Sequence, residues 1–224
     1  PIAKLLANWL KNTWLTPIHV TLVFGFCGLI AIYCIWQNHY FLASFFIILK
    51  SIIDAVDGEL ARVKNTPSYV GRYLDSVFDI TLNFLFFMTI CYVSKTSFWM
   101  SLLAFFCIQL QGTLYNYYYV ILRNKSIGGD KTSKVFEDKS PKALPGETQK
   151  WVNIWFGIYT IVYGIFDKII HVLDSDAYKV NTFPNWFMTI VSLYGLGFQL
   201  LIIAVMLPLG WIEVIVPFFI AYSV

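Results

Sequence analysis

The stretch that decides the fold is LKSIIDAVDGELARVKNTPSYVGRYLDSVFDITLNF, residues Leu49–Phe84. It places Asp54, Asp57, Asp75 and Asp79 between two long apolar runs. A carboxylate at the centre of a bilayer costs roughly 2.5–3.5 kcal/mol on insertion scales, so intramembrane acids usually mark a functional site. The surroundings of these four acids therefore determine how the whole chain is interpreted.

Composition places the chain among membrane proteins. Of its 224 residues, 58% are hydrophobic and 13% are charged, whereas a soluble globular domain is about 45–50% apolar and about 25% charged. The mean hydropathy is +0.65. The net charge of +3 is spread over the loops and is no sign of nucleic-acid binding. We expect an all-α polytopic membrane protein that forms one domain over residues 1–224.

Long apolar runs predict where the chain crosses the membrane, because a spanning helix needs roughly 20 apolar residues. The runs cover residues 17–36, 40–56, 77–93, 98–122, 151–170 and 186–207. They predict a six-helix transmembrane core, and a shorter run over 211–224 leaves open a seventh, C-terminal span. The third run reaches full length only if residues 69–79 are also helical.

The N-terminal residues 1–14 have an amphipathic pattern. Ile2, Leu5 and Trp9 fall near one helical face, while Lys4 and Lys11 largely point away from it. This pattern favours a helix that lies in the membrane interface. An amphipathic helix packed on protein is the alternative.

The basic residues are unevenly distributed between the two sides of the membrane. Most of the 16 lysines and arginines fall in loops on the side of the N-terminus, whereas Lys95, Lys168 and Lys179 fall in loops assigned to the other side. The positive-inside rule then predicts that the N-terminus and the aspartates face the cytoplasm. The loop 123–149 is predicted on this same face. It is long enough to cover or complete a site, although a simple solvated loop is equally compatible with its sequence.

The aspartates have helical spacing. Asp54 and Asp57 are three residues apart, Gly71, Asp75 and Asp79 follow in steps of four, and residues 64–68 between them form a turn. Two helix ends can therefore face each other, each with two carboxylates. The nearby cations Lys50, Arg62 and Arg72 can pair with some of these acids but do not explain the arrangement. All-oxygen sites of this kind suit hard divalent cations, and we expect two ions, Mg²⁺ or Mn²⁺.

Small and basic residues lie beside the acids. Gly58, Ala61 and Gly71 leave room for a bulky ligand to approach the backbone, and Arg62 can contact a phosphate. Metal ions, an arginine and a surface of small residues together suggest a pyrophosphate-containing ligand. Asp79 lies one turn beyond Asp75, where it can take a proton from an attacking hydroxyl.

The pattern D-x2-D-G-x2-A-R-x8-G-x3-D-x3-D, which begins at Asp54, resembles the signature of the CDP-alcohol phosphotransferase family at every defined position. The segment Thr16–Thr21 is similar to a TPN-x-x-T element of that family. It departs from the element at Ile18, where the family has Asn, and His19 is a candidate to replace the lost polar contact.

The resemblance implies an integral membrane enzyme with a six-helix core, usually homodimeric, that cleaves a CDP-linked alcohol and releases CMP. By position, Asp54, Asp57, Asp75 and Asp79 look like metal ligands, and Asp79 also looks like the general base. The CDP-binding surface implied in the same way consists of Asp57, Gly58, Ala61, Arg62 and Gly71. The expected partners are the CDP-alcohol, a lipid substrate or product, and the membrane.

The sequence leaves the substrates open. CDP-diacylglycerol can donate to a small polar alcohol, or CDP-choline or CDP-ethanolamine can donate to a lipid alcohol. The tyrosines at 115, 117, 118 and 119 suggest a choline-binding aromatic surface, although interfacial tyrosines are the simpler interpretation. A cation transporter is the alternative function, because intramembrane acids also line ion paths.

Overall fold

The computed structural model describes residues 2–125, 132–133, 137–180 and 182–223, and the ordered elements in this part of the chain are helices. The prediction of an all-α protein is confirmed. The α-helices are α1 (Ile2–Leu10), α2 (Pro17–Trp36), α3 (Tyr40–Val63), α4 (Tyr69–Ser94), α5 (Phe98–Lys125), α6 (Gln149–Val162), α7 (Gly164–Leu173), α8 (Asn185–Ser192), α9 (Leu196–Met206) and α10 (Ile212–Ala221). A short 3₁₀ turn, Ala177–Lys179, follows α7.

Three helices, α2, α4 and α5, are long and apolar enough to cross a membrane, and the number rises to five if the bent pairs α6–α7 and α8–α9 each form one span. A multi-pass membrane protein is therefore confirmed. Helix α4 begins at Tyr69, which satisfies the condition that the sequence set for a full-length third span. Helix α3 has 24 residues but carries five charged residues, Lys50, Asp54, Asp57, Glu59 and Arg62, and it is not among the three.

The described surface of the bundle is rich in exposed apolar side chains, as a lipid-facing surface requires. Helix α1 packs on the bundle through Ala7 and Leu6, which contact the cluster that includes Val56 and Leu60. Its other side leaves Ile2 and Trp9 exposed. One packed face and one exposed face fit both a helix in the membrane interface and a helix packed on protein. The interfacial position of α1 therefore stays a prediction.

Two glycines on α2 allow α4 to approach closely. A Cβ atom built on Gly25 would lie 2.7 Å from the Phe78 ring, and one on Gly28 would lie 2.6 Å from Leu82. Side chains larger than hydrogen at these positions would push α4 away, as small residues at helix contacts in membranes generally show. Helix α2 also packs along α3, so these three helices fix the relative positions of the acid-bearing segments.

The connection between α3 and α4 is a tight turn with a cap. Asn65 adopts the left-handed region with φ 52°, which suits this residue type. Ser68 is the N-cap of α4, and its Oγ accepts a hydrogen bond from the Gly71 N–H at 2.8 Å. The end of α3 and the start of α4 therefore lie side by side, and we call this end of the bundle the aspartate side.

Helices α6 and α7 do not form the straight fifth span that the sequence predicted, because their axes diverge by 66°. Tyr117 Oη donates to the Asp174 carbonyl at 2.7 Å, and Lys125 Nζ donates to the Val180 carbonyl. Since α5 is long enough to span and ends at Lys125, Val180 lies on the aspartate side. The assignment of Lys179 to a loop on the opposite side is wrong, because α7 runs along α5 towards the aspartate side.

The last apolar run forms only the 10-residue helix α10, which is too short for a full span. Its side chains Ile215 and Phe219 are fully buried in the main core. Near its end, the backbone carbonyl of Tyr222 accepts a hydrogen bond from Gln111 Nε2 at 3.1 Å. The described part of the seventh apolar run is therefore a short buried element that packs against α4 and α5.

Impermeant thiol labelling tests the placement of the segment after α7. In a cysteine-free background, Tyr178→Cys should react from the same side of the membrane as Asn12→Cys, since both regions lie near the aspartate side. The chain after α1 is held there by Lys64 Nζ, which donates to the carbonyls of Thr13 and Leu15. Gln37→Cys, at the end of α2, should react only from the other side. Labelling of Tyr178→Cys together with Gln37→Cys would contradict the described path of α7.

Candidate functional site

Three of the four aspartates come together between α3 and α4. Asp54, Asp75 and Asp79 each place a carboxylate oxygen within 4.8 Å of the others. The periodicity of the two helices explains the grouping, because Asp75 and Asp79 are one turn apart on α4 and face the turn of α3 that carries Asp54. We call these three residues the aspartate cluster.

Lys50 lies one turn before Asp54 on α3 and supplies the counter-charge of the cluster. Its side chain is fully buried. The ammonium donates to Asp79 Oδ1 and lies 3.9 Å from Asp54 Oδ2. It also lies 5.0 Å from the centroid of the Phe24 ring. A buried lysine is stable only when it is paired, and this one is paired with two members of the cluster.

Asp57 is held apart from the cluster by a residue that the sequence did not identify as functional. Its Oδ2 accepts a hydrogen bond from Thr21 Oγ1, and both side chains are buried. Thr21 is the last residue of the Thr16–Thr21 element, so that element orients an acid of the site. His19 does not take this role, because its Nδ1 accepts from the Thr16 N–H at 3.0 Å and caps α2.

The two arginines near the site are paired with glutamates. Arg62 contacts Glu59 at 2.8 Å, and its side chain is 44% exposed. Arg72 contacts Glu137 and donates to the Thr132 carbonyl. Among the ion pairs of the described residues, Lys50 is therefore the cation that pairs with members of the aspartate cluster, Asp54 and Asp79.

The small residues Gly58 and Gly71 differ in how closely other atoms surround them. A Cβ atom on Gly58 would meet only the Arg62 guanidinium, at 3.8 Å, so the backbone there is open to a ligand. A Cβ atom on Gly71 would lie 3.3 Å from Ser68 Oγ, which makes Gly71 part of the tight first turn of α4. Ala61 is partly buried one turn after Gly58.

The described part of the loop 123–149 is anchored at the aspartate side. Glu147 accepts hydrogen bonds from Ser68 Oγ at 2.7 Å and from the Val70 N–H at 2.8 Å. Glu137 binds Arg72 and accepts from Tyr73 Oη at 2.9 Å. Residues 126–131 and 134–136, which include Lys131, lie outside the described residues. The loop thus has two glutamate contacts to the first turn of α4, next to Gly71.

The tyrosines of α5 are engaged in packing and hydrogen bonding. Tyr115 and Tyr119 stack on each other with centroids 5.7 Å apart. Tyr118 Oη donates to the Asp174 carboxylate at 2.8 Å. The contacts described for these side chains do not include the aspartate cluster, so the run has a structural explanation that needs no choline.

The donor set of the cluster fits a hard divalent cation. Three carboxylates converge, and a buried oxygen of Asp75, Oδ1, has no hydrogen-bond partner among the described residues. One ammonium cannot neutralise three ionised carboxylates, so two negative charges are left for a bound cation to balance. Oxygen ligands with excess negative charge are the environment that Mg²⁺ and Mn²⁺ prefer.

The family model described as CDP-alcohol phosphatidyltransferase matches residues 14–218, which is nearly the whole chain. No curated protein and no solved structure matches the chain.

Thermal unfolding in detergent tests whether the cluster is a metal site. Asp75→Asn removes one of three mutually repelling charges, so the metal-free variant should melt a few degrees higher than the wild type. Added Mn²⁺ should raise the Tm of the wild type and leave that of the variant unchanged. The control Asp138→Asn, in an exposed part of the loop, should behave as the wild type. A wild-type protein that is insensitive to Mn²⁺ would contradict the assignment.

Proposed function

The chain belongs to the CDP-alcohol phosphatidyltransferase family, and we propose that it transfers a substituted phosphate group from a CDP-linked alcohol to a second alcohol in phospholipid synthesis and releases CMP. The observation that supports this most directly is the convergence of Asp54, Asp75 and Asp79 at one end of an apolar bundle. These residues occupy the metal-ligand positions of the family signature.

We assign the metal ligands to Asp54, Asp57, Asp75 and Asp79, and we expect two divalent ions, Mg²⁺ or Mn²⁺, in the working site. When bound, such ions neutralise the pyrophosphate and stabilise the charge on the leaving group. The convergent carboxylates support positions 54, 75 and 79. Asp57 has to reach an ion from its hydrogen bond with Thr21, which fixes the direction in which its carboxylate points.

Asp79 acts as the general base. Its carboxylate takes the proton of the acceptor hydroxyl while that oxygen forms a bond to the phosphorus that carries the donor alcohol. The bond from this phosphorus to the bridging oxygen breaks, and CMP leaves with that oxygen. The contact with Lys50 holds the Asp79 carboxylate in place for this step.

The nucleotide binds along Asp57, Gly58, Ala61, Arg62 and Gly71. The open backbone at Gly58 provides the space, and the exposed guanidinium of Arg62 provides a cation at the rim. Because Arg62 is paired with Glu59, binding requires the guanidinium to exchange or share that partner. Such an exchange is inexpensive at an exposed position, where an ion pair is worth about 0–1 kcal/mol.

One substrate is a lipid, and the acceptor or donor headgroup has no second phosphate. The cations described on the aspartate side support the absence of a second phosphate, because Lys50 is bound to the cluster and Arg72 is bound to Glu137. A phosphorylated acceptor needs a further cation, and the candidates in the loop are Arg123, Lys125 and Lys131. The two routes, with the lipid as donor or as acceptor, are distinguished by a donor screen.

The architecture expected from the family accompanies this proposal. It comprises a six-helix core, an interfacial α1, an N-terminus and active site that face the cytoplasm, and a homodimer. Because α7 returns to the aspartate side, the number of spans depends on whether α8–α9 crosses the membrane, and the single chain leaves the dimer a prediction.

A CMP-release assay on purified protein with Mg²⁺ or Mn²⁺ tests the function. Wild-type protein should release CMP from CDP-diacylglycerol, CDP-choline or CDP-ethanolamine with a suitable acceptor alcohol. Asp79→Asn should lower the rate by at least about 100-fold, because the proton acceptor is lost, while CDP binding and the melting profile persist.

The matched control is Asp138→Asn, which should retain the wild-type rate. Undiminished turnover by Asp79→Asn would contradict the assignment of the base. If none of the three donors yields CMP while the protein moves divalent cations across vesicle membranes, the transporter alternative would replace the enzyme.

A further inference from the structure

Lys50 is a charged residue that takes no direct part in the bond making and bond breaking of the proposed reaction. It lies in the middle of α3, is fully buried, and contacts two of the three residues of the aspartate cluster. The two arginines near the site, Arg62 and Arg72, are bound to Glu59 and Glu137. The charge balance of the cluster in the described part of the chain therefore depends on this one ammonium.

The net charge of the cluster limits the number of divalent ions that it can bind. With Lys50 in place, the carboxylates of Asp54, Asp75 and Asp79 and one divalent ion carry no net charge together. A second divalent ion would leave two uncompensated positive charges in an apolar surrounding, where desolvation of an unpaired charge is very unfavourable. The pyrophosphate of a CDP-linked alcohol carries about two negative charges and restores the balance.

The position of Lys50 is fixed by packing. The ammonium lies near the face of Phe24, which is itself fully buried and sits next to Gly25 at the close contact between α2 and α4. The side chain has no exposed surface through which it could turn to water. The ammonium therefore stays with the cluster when an ion or a substrate arrives.

We propose that Lys50 takes the place of a second divalent ion in the resting site. The nucleotide-free protein then binds one ion, and the second ion enters together with the pyrophosphate of the substrate. The inference rests on the proposed metal site, and it adds an order of binding in which the substrate completes the site. Lys50 is a positioning residue here, because it acts through Asp54 and Asp79.

Counting bound Mn²⁺ tests this directly. Calorimetry and the loss of the free-ion spectrum of Mn²⁺ in electron paramagnetic resonance should give one ion per chain for the purified, nucleotide-free wild type. With saturating CDP as the probe, the count should rise to two. Lys50→Met should bind two ions without CDP, because the three carboxylates with two divalent ions then carry one uncompensated positive charge instead of two. Its first ion should bind at least about tenfold more tightly.

Two further variants keep the test decisive. Lys50→Arg preserves the charge and should retain a count of one without CDP. Lys179→Gln removes a lysine from an exposed ion pair with Asp176 and should match the wild type. If Lys50→Met is unstable without metal, it can be purified in Mn²⁺, and its Tm should then fall on chelation by more than that of the wild type.

A wild-type count of two without CDP, or of zero, would overturn the inference, and so would a count of one for folded Lys50→Met. These outcomes are independent of turnover. A protein that binds one ion, gains a second with CDP and releases no CMP from any donor would preserve the role of Lys50 and contradict the proposed function.

Discussion

The arrangement of the aspartate side depends on the ion pair between Lys50 and Asp79. Three carboxylates within 4.8 Å of one another repel strongly in an apolar bundle, and the ammonium is their counter-charge among the described residues. The surrounding structure preserves this contact. Gly25 and Gly28 let α2 and α4 approach, and the buried ring of Phe24 closes the space around the ammonium. The packing of three helices therefore maintains an electrostatic balance that favours a bound cation.

The remaining charges are arranged around this centre in two ways. At the rim, Arg62 and Glu59 form an exposed pair that a phosphate can open at small cost. At the start of α4, Glu137 and Glu147 tie the loop to Arg72 and Ser68. The buried lysine thus serves the metal site, the exposed arginine is available to the nucleotide, and the loop contacts stabilise the helix that carries the proposed base.

The sequence predicted most of the cluster because helical periodicity determines which acids share a face of a helix. The spacing of Asp54, Asp75 and Asp79 placed them on facing helices, and α4 starts where the turn residues indicated. The separation of Asp57 was not predicted, because the sequence singled out the Thr16–Thr21 element but did not show that Thr21 contacts an acid 36 residues further along the chain. The return of α7 was not predictable either. It is stabilised by contacts of α5 with Asp174 and Val180, and apolar runs contain no information about such long-range partners.

The central claim is that the aspartate cluster holds divalent metal next to a nucleotide. Anomalous diffraction at the manganese edge, from crystals grown with Mn²⁺ and CDP, tests it most directly. We expect manganese peaks at about 2.1–2.3 Å from carboxylate oxygens of Asp54, Asp75 and Asp79, with a pyrophosphate oxygen in contact and Lys50 still at Asp79. Peaks confined to other acids, with the cluster unchanged around Lys50, would contradict the claim.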